Sequence, residues 1–310
     1  MPKSVANFPV DAVLTSIAVA YRNENFIADD VLPIVPTGNQ NFKYRKYDAA
    51  ESFTIPKTTV GRTSAPNQVQ FGFTEEDSST VDYGLDEPVP NSDIENAPAE
   101  YNPLAAATKR VTDLILLDRE KRTAELVFNK NSYADNKRVT LAGTEQYSHA
   151  NSDPLKSILS YLDACVMRPN IMVVGQPAWT GLRTHPKIVK ATNRNSGDSG
   201  VAAREAVAEL LEIDKIIVGS GWYNSSKKGQ DASLVRLWGK HIALIFQDTL
   251  ADINGRATFG FTAQWGGRQV KQIPDEDIGL NGGIRVRAGE CVRELVIAPD
   301  FGYFIENAVA

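Results

Sequence analysis

The sequence predicts an α+β protein, with an extended arm and a β-hairpin first, then one long helix, a compact α/β unit and a closing run of strands. Three patterns carry that prediction. Period-two alternation flanks a Pro-, Gly-, Thr- and Ser-rich stretch between residues 42 and 73. An apolar stripe of helical period runs without interruption from 103 to 129, and helix and strand patterns alternate from 153 to 257. The 310 residues, 42% of them apolar, suffice for a sizeable core in one large domain or two ordinary ones.

Residues 1–41 read as the arm. The apolar patch from Ala12 to Ala20 is broken by Thr15 and Ser16 and preceded only by Lys3, a poor match to a secretory signal. No run of 18 apolar residues occurs, so no membrane span is predicted. In "YRNENFIADDVLPIVP" (21–36), Phe26, Ile27, Val31, Leu32, Ile34 and Val35 are apolar, and Pro33 and Pro36 interrupt the run. Such a segment joins its own chain's core or another chain's, and an apolar run by itself leaves both open.

Residues 42–73 read as the hairpin. "FKYRKYD" (42–48) alternates aromatic and basic side chains, and "QVQFGFT" (68–74) alternates again at Val69, Phe71 and Phe73. A two-stranded hairpin is marginal alone in water, and the sequence offers it no obvious second layer. Charge is divided sharply around it. Lys43, Arg45, Lys46, Lys57 and Arg62 against Asp48 and Glu51 leave residues 42–71 at +3. Residues 72–95, with Glu75, Glu76 and Asp77 at their head, stand at −8 with no Lys or Arg. Adjacent blocks of opposite sign predict pairing, within the chain or between copies.

Residues 74–152 contain the clearest helix. Asn102 is a good N-cap and Pro103 suits the first helical position. Leu104, Ala107, Val111, Leu114 and Ile115 begin a stripe that continues to Val127. A helix over 103–129 would span roughly 40 Å, enough to tie distant parts of a domain together.

Residues 153–257 read as the α/β unit. A helix capped by Asp153 precedes a buried strand, "NIMVVG" (170–175), and a helical stretch broken near Pro186. An amphipathic helix over 201–213 and the strand "KIIVG" (215–219) follow. "LVRLWGKHIALIFQ" (234–247) reads as a hairpin turning at Gly239 and Lys240. From 258 to 310 the pattern is mostly β, in "TFGFTAQW", "GIRVRAGECVRELVIAP" and "GYFIENAV".

Chemistry is sparse. His149, His185 and His241 are the only histidines, far from one another, and His241 reads as structural. Cys165 and Cys291 sit in no CxxC pair and read as buried thiols. No GxSxG, HExxH or phosphate-loop motif is present. "GSGWYNSSKKG" (219–229) reads as a loop, and "DEDIGLNGG" (275–283) lacks the ligand spacing of a calcium loop. A net charge of −5 argues against tight nucleic-acid binding.

Taken in order, these pieces resemble the major capsid proteins of tailed bacteriophages, which have the HK97-like fold. "FIADDVLPIVP" is similar to the arm where it enters the hairpin, and "NFKYRKYDAAESF" with "QVQFGF" to the base of the E-loop. "NPLAAATKRVTDLILLDREKRTAELVFN" resembles the spine helix of the P-domain. "NIMVVGQPAWTGLRTHPKIV" and "KIIVGSGWYN", continued by "LVRLWGKHIALIFQD", resemble the A-domain. The resemblance implies a shell protein that assembles through pentamers and hexamers into an icosahedral capsid around double-stranded DNA. No catalytic, cofactor or metal residue is expected.

It also implies subunit-interface residues. These are Phe26, Ile27, Val31 and Leu32, buried against a neighbour with the prolines holding the arm extended; Lys43, Arg45, Lys46, Lys57, Arg62 and Phe71 of the E-loop; and Glu75, Glu76 and Asp77 as the acidic surface next door. Partners implied are other copies of the chain, a separate scaffolding protein, a portal and, optionally, a decoration protein, with assembly in the bacterial cytoplasm. Some relatives cross-link an E-loop lysine; Lys57 reads as an ordinary surface lysine. An encapsulin shell of the same fold is the alternative, and an α/β enzyme a more distant one.

Overall fold

The computed structural model of the chain describes residues 10–21, 23–46, 55–68, 74–193, 199–227, 229–248 and 258–310. Asp11 opens the first helix, α1 (Ala12–Ala20), by accepting the Leu14 N–H at 2.8 Å. A single turn, α2 (Ala28–Val31), leads to β1 (Ile34–Thr37), which runs parallel to residues 262–265. Pro33 ends the turn, and its carbonyl accepts the Thr262 N–H at 2.9 Å. The arm is therefore a turn and a paired strand, not the extended tether expected from its prolines.

β2 (Asn41–Lys46) pairs antiparallel with β3 (Thr74–Ser79). The hairpin thus exists, but its described partner strand is the acidic stretch one strand beyond the predicted return. Residues 69–73, with Phe71 among them, lie outside the described residues. The register sets Lys43 opposite Asp77 and Arg45 opposite Glu75, a charge-matched ladder. Phe42 and Tyr44 point the other way and are buried with Val35, Phe261 and Phe301. The base of the hairpin has its second layer within its own chain.

After β4 (Val81–Pro90) and the short α3 (Asn91–Glu95) comes the long helix, α4 (Pro103–Val127). The Asn102 side chain accepts the Leu104 and Ala105 N–H groups at 3.0 and 3.1 Å, closing its N-terminus. One end buries Ala107, Val111 and Ile115 against Leu14 and Ala18 of α1 and against Val270, Val286 and Ala288. The other end buries Ala124 and Val127 with Ile27, Val31, Leu32, Trp238 and Phe304. The helix joins two cores, as its length predicts.

Beyond it lie β5 (Arg138–Thr140), α5 (Pro154–Asp163), β6 (Ile171–Gly175), α6 (Gln176–Thr184), α7 (Pro186–Thr192), α8 (Arg204–Leu211) and β7 (Lys215–Gly219). Asp153 caps α5 by accepting the Lys156 N–H at 3.1 Å, and Pro186 separates α6 from α7. Then come β8 (Trp222–Asn224), β9 (Leu234–Arg236), β10 (Ile242–Ile245), β11 (Gly260–Trp265), β12 (Gln269–Asp275), β13 (Gly283–Val296) and β14 (Gly302–Glu306).

Two five-stranded sheets result. In the first, β1, β11, β13 and β12 follow in order and β4 also pairs with β13. In the second the order is β5, β14, β10, β6, β7, so the last strand of the chain inserts into the sheet of the α/β unit. The predicted hairpin over 234–247 does not form. β9 pairs with β8, whereas β10 pairs with β6 and β14. The turn between them carries Trp238 into the core, with no solvent exposure. A Cβ at Gly175 would lie 1.9 Å from the Trp238 carbonyl oxygen, and one at Gly219 would lie 2.2 Å from the indole. These two glycines, paired across β6 and β7, let the turn cross the sheet.

Candidate assembly surfaces and the buried carboxylate beneath them

The hairpin's charges are satisfied at home. Lys43 Nζ lies 3.9 Å from both Glu75 and Asp77, and Lys46 Nζ lies 3.1 Å from Glu76. The Tyr44 hydroxyl donates to Glu76 at 2.6 Å. That bond and the one from Lys46 hold the Glu76 carboxyl below the usual carboxylate range. Further along, Arg287 grips Asp86 with two bonds of 2.7 Å, and Arg110 pairs with Glu87. Of the two pairings the sequence left open for Lys43, Lys46, Glu75, Glu76 and Asp77, the one within the chain is present. Strand pairing brings the two blocks together first.

The loop above that base is different. Residues 55–68 are exposed throughout, with Lys57 and Arg62 in solvent and Ile55 91% exposed. Its own bonds are local: Ser64 N–H to the Gly61 carbonyl at 3.1 Å, and Asn67 Nδ2 to the Lys57 carbonyl at 2.7 Å.

The arm differs from the reading that sets its apolar residues against a neighbour. Ile27, Val31 and Leu32 are buried in the chain's own core, so those side chains are not available to a neighbour. A fully buried Leu such as Leu32 is worth about 1.5–3 kcal/mol of burial. Phe26 is half-buried at the mouth of a cleft of about 540 Å³ between the arm and α4.

A buried carboxylate holds the arm in place. Glu120 on α4 accepts the Ile27 N–H at 2.9 and 3.0 Å, the Ala28 N–H at 2.7 Å and the Trp238 indole N–H. Burial pushes the Glu120 carboxyl above its ordinary range, and these three donors pull against that. Its neighbour Arg119 is equally buried. It pairs with Asp29 of the arm and lies 3.3 Å from Glu290 of β13, which Arg268 also holds at 3.0 Å. Arg268 in turn donates to the Ala18 carbonyl at 2.9 Å. Sequence reasoning missed this network. The signal was Arg119 and Glu120 standing four residues after Ile115 and Leu116, inside the apolar stripe.

Other apolar surface stands exposed on the β8–β9 ribbon, where Trp222 is 49% and Leu234 63% accessible. Arg236 covers part of the Trp222 ring at 4.1 Å.

One pair in the α/β unit invites a catalytic reading: Ser152 Oγ lies 3.1 Å from His185 Nε2. However, His185 Nδ1 accepts the Lys187 N–H at 3.3 Å. The ring's proton therefore sits on Nε2, which faces the His149 carbonyl at 3.2 Å. A protonated nitrogen cannot take a proton from Ser152, so in this arrangement His185 caps α7 and does not activate the serine. Among the described residues no cluster of His, Cys, Asp and Glu could hold a metal ion, and no helix is long and apolar enough to cross a membrane.

Residues 105–269 match the family model described as phage major capsid protein E. The chain is 55% identical over 99% of both lengths to a major capsid protein of Pseudomonas phage JBD67. It is 30% identical to that of Burkholderia phage BcepMu, over 96% of each. Among solved structures, a phage-related protein from Bordetella bronchiseptica RB50 superposes with a TM-score of 0.76 at 21% identity, over 97% of this chain and 98% of the other. The capsid of cyanophage P-SCSP1u (TM-score 0.57, 9% identity, 98% and 92% covered) shares the fold. So does the SrpI encapsulin of Synechococcus elongatus PCC 7942 (0.54, 11%, 98% and 91%). The HK97-like fold is common to both kinds of shell; the full-length sequence relatives are phage proteins.

Proposed function

The chain belongs to the family of phage major capsid proteins, and from that premise we propose that it builds the shell through pentamers and hexamers of itself, with loop 55–68 lying over an adjacent copy. The observation that carries this is the contrast within one hairpin. Its base is locked into the core by Phe42 and Tyr44, while the loop it projects presents Ile55 and Val60 to solvent. An anchored, apolar-tipped projection gains by finding cover on a second molecule. Many small contacts of this kind sum to a stable shell once the rings close.

In this reading the chain is structural and not catalytic. Lys57, Arg62 and Phe71 are contact residues, and Phe26 contributes at the edge of the arm. Double-stranded DNA is enclosed without sequence-specific binding, in keeping with a net charge of −5. A scaffolding protein, a portal and a decoration protein are separate partners, and assembly takes place in the host cytoplasm.

Replacing residues 56–67 by a short Gly-Ser linker tests the proposal. Circular dichroism of the variant should match the parent, while size-exclusion chromatography should show loss of capsomers and shells. Shells of normal size from the shortened chain would refute it.

A further inference from the structure

The N-terminal arm and the turn that follows β9 both bond to Glu120. Its two oxygens accept from the backbone of Ile27 and Ala28 on one side and from Trp238 on the other. Trp238 closes the turn directly after β9. The ribbon's base is tied to that turn, because the Leu237 N–H donates to the Gly221 carbonyl at 3.1 Å and Arg236 to the Ser220 carbonyl at 2.9 Å. Gly221 also touches the arm, since a Cβ there would lie 3.6 Å from the Asn25 carbonyl and 3.8 Å from the Phe26 ring. Lys121, next to Glu120, stands over the Tyr223 ring at 5.0 Å.

The ribbon has three residue pairs and is marginal as a free hairpin; its order rests on its base. We infer that Glu120 couples the docking of the N-terminal arm to the ordering of the β8–β9 ribbon, so that loosening either one loosens the other. The carboxylate is fully buried and already saturated, so loss of one donor set leaves it imperfectly satisfied and weakens its hold on the rest. Coupling of this kind is reciprocal. A change at the arm therefore reaches the exposed Trp222 and Leu234 through Glu120 and the turn that carries Trp238.

Hydrogen exchange on the full chain reads it. Trp238→Phe removes the indole donor and keeps the ring. Exchange at the Ile27 and Ala28 amides should rise about fivefold or more, a typical coupling, although neither amide bonds to Trp238. Asp29→Asn weakens the arm's tie to Arg119 from a half-exposed position, and should speed exchange across 222–224 and 234–236 by a similar factor. The amides of β6 serve as the control and should not change. If W238F does not fold, D29N carries the test alone. Unchanged exchange on the far side of Glu120 in either folded variant, or an equal rise in β6, would overturn the coupling.

Discussion

The buried guanidinium of Arg119 lies 3.3 Å from the equally buried carboxylate of Glu290, joining the middle of the long helix to the long strand of the first sheet. The first prediction follows from it. Arg119→Ala leaves Glu290 with one partner, Arg268, in place of two and frees Asp29. Breaking a buried pair costs about 3–5 kcal/mol, and denaturant unfolding should show a loss of that order. A loss below 1 kcal/mol would mean that Arg268 alone satisfies Glu290.

The second prediction concerns Gly175. Any side chain there meets two backbone oxygens of the Trp238 turn, at 1.9 and 2.1 Å. Gly175→Ala should cost at least the 1–3 kcal/mol typical of overpacking and lower the melting temperature. An unchanged melting temperature would show that the turn moves aside freely.

Acid should destabilise the subunit in a defined window. Burial lowers the pKa of both His185 and His241. Each is neutral in the fold, His241 with its Nδ1 accepting the Asn307 N–H at 3.0 Å. The unfolded chain takes up these protons near pH 6.5, before the folded one does. Stability is therefore full above that pH and falls as the pH drops below it. The raised carboxyl of Glu120 works in the opposite direction. Replacing both histidines by Gln should flatten the dependence of the unfolding midpoint between pH 7 and 5; a dependence that stays as steep would assign it to other groups.

The charge-matched hairpin gives a test of small effects. Lys46→Glu places two acids side by side, but the pair is about two-fifths exposed on each side. An exposed pair contributes 0–1 kcal/mol, so the variant should remain folded with a loss of that size. Adding Glu76→Lys should recover the pair's share. If the single change abolished folding, strand pairing would depend on charge far more than exposure allows.

Much of the architecture was legible in the sequence, because its signals were local. Asn102 with Pro103 marked the start of the long helix to the residue, and Asp153 with Pro154 did the same for α5. The runs at 171–175 and 215–219 needed only their apolar continuity. What escaped was the identity of partners. Alternation at 234–247 is equally compatible with a hairpin and with two strands that part, and the burial of Trp238 decides for the second. Ile27, Val31 and Leu32 announced burial but not whose core they fill. Charge blocks at 42–71 and 72–95 announced attraction but not its register, which the pairing of β2 with β3 sets. Arg119 and Glu120 were visible as charges in an apolar stripe; their mates at positions 27–29, 238 and 290 were not, since only the fold brings them together.

The central claim is that loop 55–68 of one copy is covered by another. Cryo-electron microscopy of particles assembled from the full chain tests it most directly. The account predicts closed shells or capsomer rings in which Ile55, Lys57 and Val60 contact a neighbouring subunit while Phe42 and Tyr44 stay in their own. Shells in which 55–68 remain bare to solvent, or a chain that stays monomeric under every assembly condition, would contradict it.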